Sequence, residues 1–255
     1  MLDFSLYLLC GLVAGLLGGY LGLGGGIVMM PFLTVIAGVN VKAAVPVSIT
    51  AIVVNSLAAS SEYLKKGMVD LELVVILSVF MVLGNITGSL LSEHIPGDYT
   101  RLMLTVIVVY AAFSLLKGRR TTERMTFADN RARYLLITTV VAFVTGALSA
   151  VVGIGGGVVI LPVLYLVIGL PLSTARGTTS LMIGFSAAAA TTVYFLNGQI
   201  EPVIVSGVIL GIIVGAKLGG FLGTMAKPLV IKLMLFSVLL YLAFRLAYEP
   251  VRELL

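Results

Sequence analysis

Long apolar runs separated by short polar turns dominate the chain. They occupy residues 43–61, 69–92, 102–116, 134–152, 178–196, 202–223 and 229–248, and each approaches the roughly 20 residues that a helix needs to cross a bilayer. The pattern predicts an all-α polytopic membrane protein. Two stretches interrupt it, YLGLGGGIVMMP at 20–31 and VGIGGGVVILP at 152–162. Each Gly costs a helix about 1 kcal/mol and each Pro about 3 relative to Ala, so the helices are predicted to break there.

The two interruptions belong to a longer repeat. A shift of 131 positions aligns Gly22 with Gly153, Gly24 to Gly26 with Gly155 to Gly157, Pro31 with Pro162, Tyr63 with Tyr194, Gly84 with Gly215, Gly88 with Gly219 and Tyr110 with Tyr241. One constant offset over about a hundred residues marks an internal duplication. Between the copies runs KGRRTTERMTFADNRAR, residues 117–133, with six basic and two acidic residues, which predicts a cytoplasmic loop. Lys65-Lys66 is then cytoplasmic as well, whereas residues 93–98 and 197–199 face outward. Lys227 stands in the turn equivalent to the acidic one, and this exchange of charge predicts two repeats of opposite orientation. Each repeat then needs an odd number of spans. Five per repeat fit: 3–20, 21–37, 43–64, 69–92 and 101–117, then 134–151, 152–169, 176–196, 201–223 and 228–247. The short second member of each set is re-entrant if it does not cross. The organisation is a first repeat at 1–116, the loop at 117–133 and a second repeat at 134–255.

Composition agrees with this reading. Of the 255 residues 60% are hydrophobic and 11% charged, against about 25% charged in a soluble domain. The net charge of +5 resides in the gaps between spans, so it reflects topology and not nucleic-acid binding. Cys10 is the single cysteine, which excludes an intrachain disulfide. The first segment carries Asp3 instead of a basic start and reads as a retained span. With no Trp in the chain, Tyr7, Tyr63, Tyr99, Tyr134 and Tyr248 are the expected interfacial anchors.

The chemistry follows from the breaks. Paired Gly/Pro-interrupted segments at matching positions of two repeats point to a midplane binding site. Gly24, Gly25 and Gly26 with Gly155, Gly156 and Gly157 can turn successive N–H groups toward an anion, and helices starting at Ile27 and Val158 would add their positive ends. Replacing Gly25 or Gly156 by Ala is expected to lower flux while sparing the fold. The alternative, close helix packing, is favoured for Gly84, Gly88, Gly215 and Gly219. A polar cluster follows each break: Ser48 in AVPVSIT, and Arg176, Gly177, Thr178, Thr179 and Ser180 in ARGTTSL. The second is expected at a helix start, offering hydroxyls and free N–H groups together, with Arg176 either facing the anion or snorkelling to headgroups. Lys217 reads as a snorkelling residue and Glu62 as a solvated turn residue, with proton coupling the alternative for Glu62. Asn55 and Asn85 are either interhelical partners or cavity lining. His94 stands alone, no His/Cys/Asp cluster has metal-ligand spacing and no Walker motif is present, so an enzyme, a cofactor and ATP hydrolysis are not expected.

In carrying GLGGGIVMMPFL, AVPVSI, GIGGGVVILPVL and ARGTTSL, the chain resembles the sulfite exporter TauE/SafE family, also called the toluenesulfonate uptake permease family. The resemblance covers nearly the whole length. The first repeat departs from its pattern, with Pro46-Val47 where Gly-Thr is expected. The resemblance implies a multi-pass inner-membrane protein that moves small organosulfur anions such as sulfite, sulfoacetate or sulfonates. The residues themselves support a secondary transporter of a small anion, whose partners are that anion, the lipid bilayer and a coupling ion of unassigned kind; an anion channel or a transporter of small carboxylates are the alternatives.

Overall fold

The computed structural model describes residues 2–100, 102–106, 131–225 and 240, and no strand occurs among them. The helices are α1 (Leu2–Leu21), α2 (Gly26–Pro31) with a π-helical turn (Phe32–Ile36), α3 (Val41–Lys65), α4 (Leu71–Ser92), α5 (Arg131–Val152), α6 (Gly157–Leu166), α7 (Leu172–Leu196) and α8 (Pro202–Met225). The bounds of α7 are those of α3 moved by 131, so the sequence offset is also an offset of structure. The expected loop at 117–133 lies outside the described residues except for its last three, which already belong to α5. The expected spans at 101–117 and 228–247 lie largely outside them too.

Five described helices are long and apolar enough to cross a membrane: Phe4–Leu21 within α1, and α3, α4, α7 and α8. The second segment of each repeat is not a full span. The six residues of α2 with the five of its π turn, and the ten of α6, rise about 15 Å at 1.5 Å per residue, half of a hydrocarbon core of roughly 30 Å. Ten full crossings are therefore not formed, because α2 and α6 are half-helices.

The repeats pack by exchanging partners. Helix α1 lies along α8 in parallel, with Leu12 over Gly215 and Leu16 over Gly219, while α4 lies along α5 in parallel, with Phe143 over Gly84 and Ala147 over Gly88. Each contact in the first seam is the second moved by 131 positions. A Cβ on any of these glycines would run into a backbone carbonyl of the facing helix, so here glycine is what lets the backbones touch. Small residues serve this purpose where lipid offers no hydrophobic drive for association. Helices α3 and α7 meet antiparallel: Ile52 and Ile183 lie together against Gly24, Ser56 faces Ser180 and Tyr63 faces Gly177. Ile52 and Ile183 are repeat equivalents, so matching positions of the two repeats meet at this crossing.

Both glycine turns reach this crossing, each resting on the two isoleucines through Gly24 and Gly155, while Gly26 packs on the Gly153–Ile154 backbone and Gly157 on Leu23. Residues 18–31 and 149–158 are buried. Large apolar side chains such as Val75, Leu91, Phe195 and Val203 point outward, as lipid-facing positions require.

The two central glycines differ in surroundings, which corrects the expectation that Ala spares the fold at both. Gly25 and Gly156 share a left-handed backbone, φ 81° and 67°, which costs an L-residue roughly 1–2 kcal/mol. A Cβ on Gly25 would also lie 2.6 Å from the Ala14 carbonyl oxygen, whereas one on Gly156 would meet the mobile end of Met81 and the Thr145 methyl at 3.0 Å. Overpacking against fixed backbone adds about 1–3 kcal/mol. Gly25→Ala is therefore expected to unfold at a clearly lower temperature in detergent than Gly156→Ala, and equal melting temperatures would contradict this difference.

Candidate functional site

The chain reverses at each break through three left-handed glycines, Gly22, Gly24 and Gly25 in one turn and Gly153, Gly155 and Gly156 in the other. Gly25 caps α2 and Gly156 caps α6, so both half-helices begin one residue earlier than expected. The N–H groups of Val28 and Met29 return to the Gly25 carbonyl, and those of Val159 and Ile160 to the Gly156 carbonyl. This leaves Gly26 and Ile27, and Gly157 and Val158, as first-turn donors without an intrahelical acceptor. The structure thus brings Gly24, Gly25, Gly26, Gly155, Gly156 and Gly157 together at the buried crossing.

The second polar cluster is placed differently from expectation. Helix α7 starts at Leu172 behind Pro171, so the N–H groups of residues 177–180 lie inside the helix and are not free. The sequence misled because Pro171 pre-sets the chain for a helix start several residues ahead of the glycine. Three members serve the fold. Gly177 lets α7 approach the Met68 carbonyl, the Thr178 hydroxyl accepts from the Asp70 N–H at 2.9 Å, and Ser180 donates to the Ser56 carbonyl at 3.3 Å. Thr179 is buried and its hydroxyl has no partner within the protein. Its repeat equivalent, Ser48, donates to the Gly153 carbonyl at 2.6 Å and so ties α3 to the second glycine turn.

A tyrosine clamps each turn from the far end of its helix. Tyr63 donates to the carbonyls of Gly19 at 3.2 Å and Tyr20 at 3.0 Å, and Tyr194 donates to the equivalent Ala150 carbonyl at 2.8 Å. Tyr63 is fully buried, which corrects its reading as a headgroup anchor; the repeat pairing with Tyr194 was the signal of an internal role. Tyr99 is exposed, while the side chains of Tyr134 and Tyr248 lie outside the described residues.

The two ends of the crossing are unequal. At the Tyr63 end, the half-buried Arg176 donates from Nη1 to the Tyr20 carbonyl at 3.2 Å and lies 5.8 Å from the Tyr20 ring centre. A partly buried cation over an aromatic face is worth about 0.5–2 kcal/mol. At the Tyr194 end, the equivalents of Arg176 and Tyr20 are Val45 and Val151. There a cavity of about 490 Å³ opens, lined by Val45, Pro46, Val151, Tyr194, Lys42 and Gln199 among others. Missing side-chain volume in one repeat is open space at one end of the crossing.

The remaining charged candidates lie apart from the crossing. Glu62 pairs with Lys65 at 2.8 Å, Lys217 lies on the outer face of α8, and His94 sits in the turn after α4. Among the described residues no group of three or more His, Cys, Asp or Glu could hold a metal. Asn85 donates to the Met81 carbonyl at 3.2 Å, whereas Asn55 is wholly buried with neither amide atom partnered within the protein.

Comparison with known proteins finds relatives among membrane transporter proteins. A probable membrane transporter protein of Xylella fastidiosa (strain Temecula1) is 33% identical over 187 residues, 73% of this chain and 70% of that protein. The probable membrane transporter protein YunE of Bacillus subtilis is 24% identical over 221 residues, 78% and 81% of the two chains. The Arabidopsis thaliana sulfite exporter TauE/SafE family protein 6 is 34% identical over 110 residues, 43% of this chain and 24% of its own length. No solved structure matches. The family model described as Sulfite exporter TauE/SafE matches residues 7–246, and a chain built on two glycine-broken half-helices along nearly all of that length belongs to the sulfite exporter TauE/SafE family of membrane transporters.

Proposed function

We propose that this transporter carries a small anion across the inner membrane by secondary transport, and that the anion is an organosulfur oxyanion such as sulfite, sulfoacetate or a sulfonate. The observation that carries the reading is the meeting of the two glycine turns at one buried crossing, each with first-turn backbone donors that have no intrahelical acceptor. Burying an anion costs several kcal/mol unless fixed donors replace its water, and backbone N–H groups in a left-handed glycine turn are such donors. The family name supports sulfur; the donor set supports an oxyanion.

The geometry also supports opposite orientations of the repeats. If α3 and α7 both span the bilayer, their antiparallel contact through Ile52 and Ile183 puts the axis between the repeats in the membrane plane. The Glu93 carboxylate accepts from Asn197 at 2.6 Å and Gln199 at 2.9 Å, so the turns after α4 and α7 share one face. Lys66 reaches Thr224 at the other. The basic residues favour the Lys66 face as cytoplasmic, which makes the 490 Å³ cavity an outward vestibule and the Arg176–Tyr20 contact the inner closure. Ile52 and Ile183, packed between the turns, separate the two, an arrangement suited to alternating access more than to an open channel. A coupling ion would share this route, in keeping with concentrative transport.

Two tests follow. In a Cys10→Ser background, cysteines at Asp98 and Gln199 should react with an impermeant thiol reagent added outside intact cells, and one at Lys66 only after permeabilisation; labelling of 98 and 199 from opposite sides would end the inverted arrangement. In calorimetric titration with sulfite, Arg176→Lys should bind about tenfold more weakly, roughly 1.4 kcal/mol, because Lys keeps the charge and loses the planar fork. Arg176→Gln should bind more weakly still, and unchanged affinity in both would leave Arg176 a purely structural closure.

A further inference from the structure

The buried polar groups around the crossing are distributed unequally between the repeats. On the Tyr63 side, Asn55 leaves both amide atoms without a partner within the protein, as do the hydroxyls of Ser56 and Thr179 and the Nε–H of Arg176. Asn55, Ser56 and Thr179 are all fully buried. Asn55 Nδ2 lies against Gly25 and Gly18, and Ser56 Oγ against Gly24. Thr179 stands on α7 one turn past Arg176, whose backbone packs on Gly22.

The equivalents of these four residues on the other side are either hydrogen-bonded or apolar. Asn55 corresponds to Ser186, which donates to the Ile183 carbonyl of its own helix at 3.2 Å. Ser56 corresponds to Ala187 and Arg176 to Val45, and Thr179 corresponds to Ser48, which is satisfied by Gly153. Each buried polar group left unpaired costs about 1–3 kcal/mol. Unpaired atoms occur at the other turn as well, the hydroxyl of Ser149, whose side chain lies against Gly156, and the Asn85 Oδ1 on α4, but the Gly24–Gly25 side gathers more of them, with a complete amide, two hydroxyls and a guanidinium N–H.

We infer that the crossing holds one off-centre oxyanion site, formed by Asn55, Ser56 and Thr179 at the Gly24–Gly25 turn on the Arg176 side, and that it takes an oxyanion keeping one O–H of its own. This rests on the transport reading above and narrows it from two glycine turns to one. The Asn55 Nδ2, the two hydroxyls and the Arg176 Nε–H are donors for anionic oxygens. The Asn55 Oδ1 is an acceptor, and a singly protonated oxyanion satisfies it where a fully deprotonated one repels it. The contacts of Gly18 and Gly25 with the amide close the site over in this structure, so a ligand arriving through the opposite vestibule reaches it only after the Ile52–Ile183 contact parts. Asn55 is then a specificity residue, because its amide offers a donor and an acceptor side by side.

The test uses purified full-length protein, with hydrogen sulfite and methanesulfonate as probes; methanesulfonate has three oxygens on sulfur but no O–H. Wild type should bind hydrogen sulfite at least tenfold more tightly than methanesulfonate. Asn55→Leu should lose at least tenfold in hydrogen sulfite affinity and abolish that preference, yet melt no lower than wild type without ligand, since it removes unpaired buried polar atoms. Thr179→Val, close in shape to the original, should also weaken binding and so tests the site if Asn55→Leu fails to fold. Ser186→Ala, at the position equivalent to Asn55, should shift affinity less than twofold. Unchanged binding in Asn55→Leu or Thr179→Val, equal losses in Ser186→Ala, or equal affinity for both probes would overturn the off-centre site while leaving anion transport standing. Absence of binding by wild type to either probe would overturn both.

Discussion

Backbone contact between the two glycine turns, where α3 and α7 cross, is the constraint on which the rest of the structure depends. Two half-helices end inside the protein, and polar backbone in a dry interior is tolerated only where protein or a cavity surrounds it. Each glycine turn meets this requirement by packing on the other repeat, Gly26 on Gly153–Ile154 and Gly157 on Leu23. Neither repeat can therefore complete its own interior. The parallel seams α1–α8 and α4–α5 hold the exchange in place, with glycine wherever one backbone must touch another.

Repetition makes the framework and departure from repetition makes its two ends unlike. The tyrosine clamps, the left-handed glycines and the seams recur at the same offset, whereas Arg176 with Tyr20 and Val45 with Val151 do not match. One end of the crossing is filled by a cation on an aromatic ring and the other holds an open cavity. The unpaired Asn55, Ser56 and Thr179 lie on the filled side. A symmetric scaffold would have two equal ends; unequal side chains at equivalent positions make the two ends differ.

Much of this was legible in the chain itself. The offset of 131 positions, the helix breaks at Gly24–Gly26 and Gly155–Gly157, and the packing role of Gly84, Gly88, Gly215 and Gly219 all follow from residue type and spacing. Three features were not legible, for physical reasons. Pro171 starts α7 well before Gly177, so the N–H groups expected to be free are bonded within the helix. Tyr63 has the composition of a headgroup anchor, and only its three-dimensional neighbours show that its hydroxyl reaches the end of α1. The isolation of the Asn55 amide depends on what fails to reach it, which no local pattern encodes.

The most direct measurement is a cross-link between Ile52→Cys and Ile183→Cys in a Cys10→Ser background, made in membranes and followed by sulfite flux after reconstitution. These repeat-equivalent positions lie at the crossing with both glycine turns against them. Oxidation or a short bifunctional thiol reagent should join them, flux should stop, and reductant should restore it. A cross-link that forms while flux continues unchanged would show that the anion passes elsewhere, and a pair that cannot be joined would show that the two repeats do not meet there.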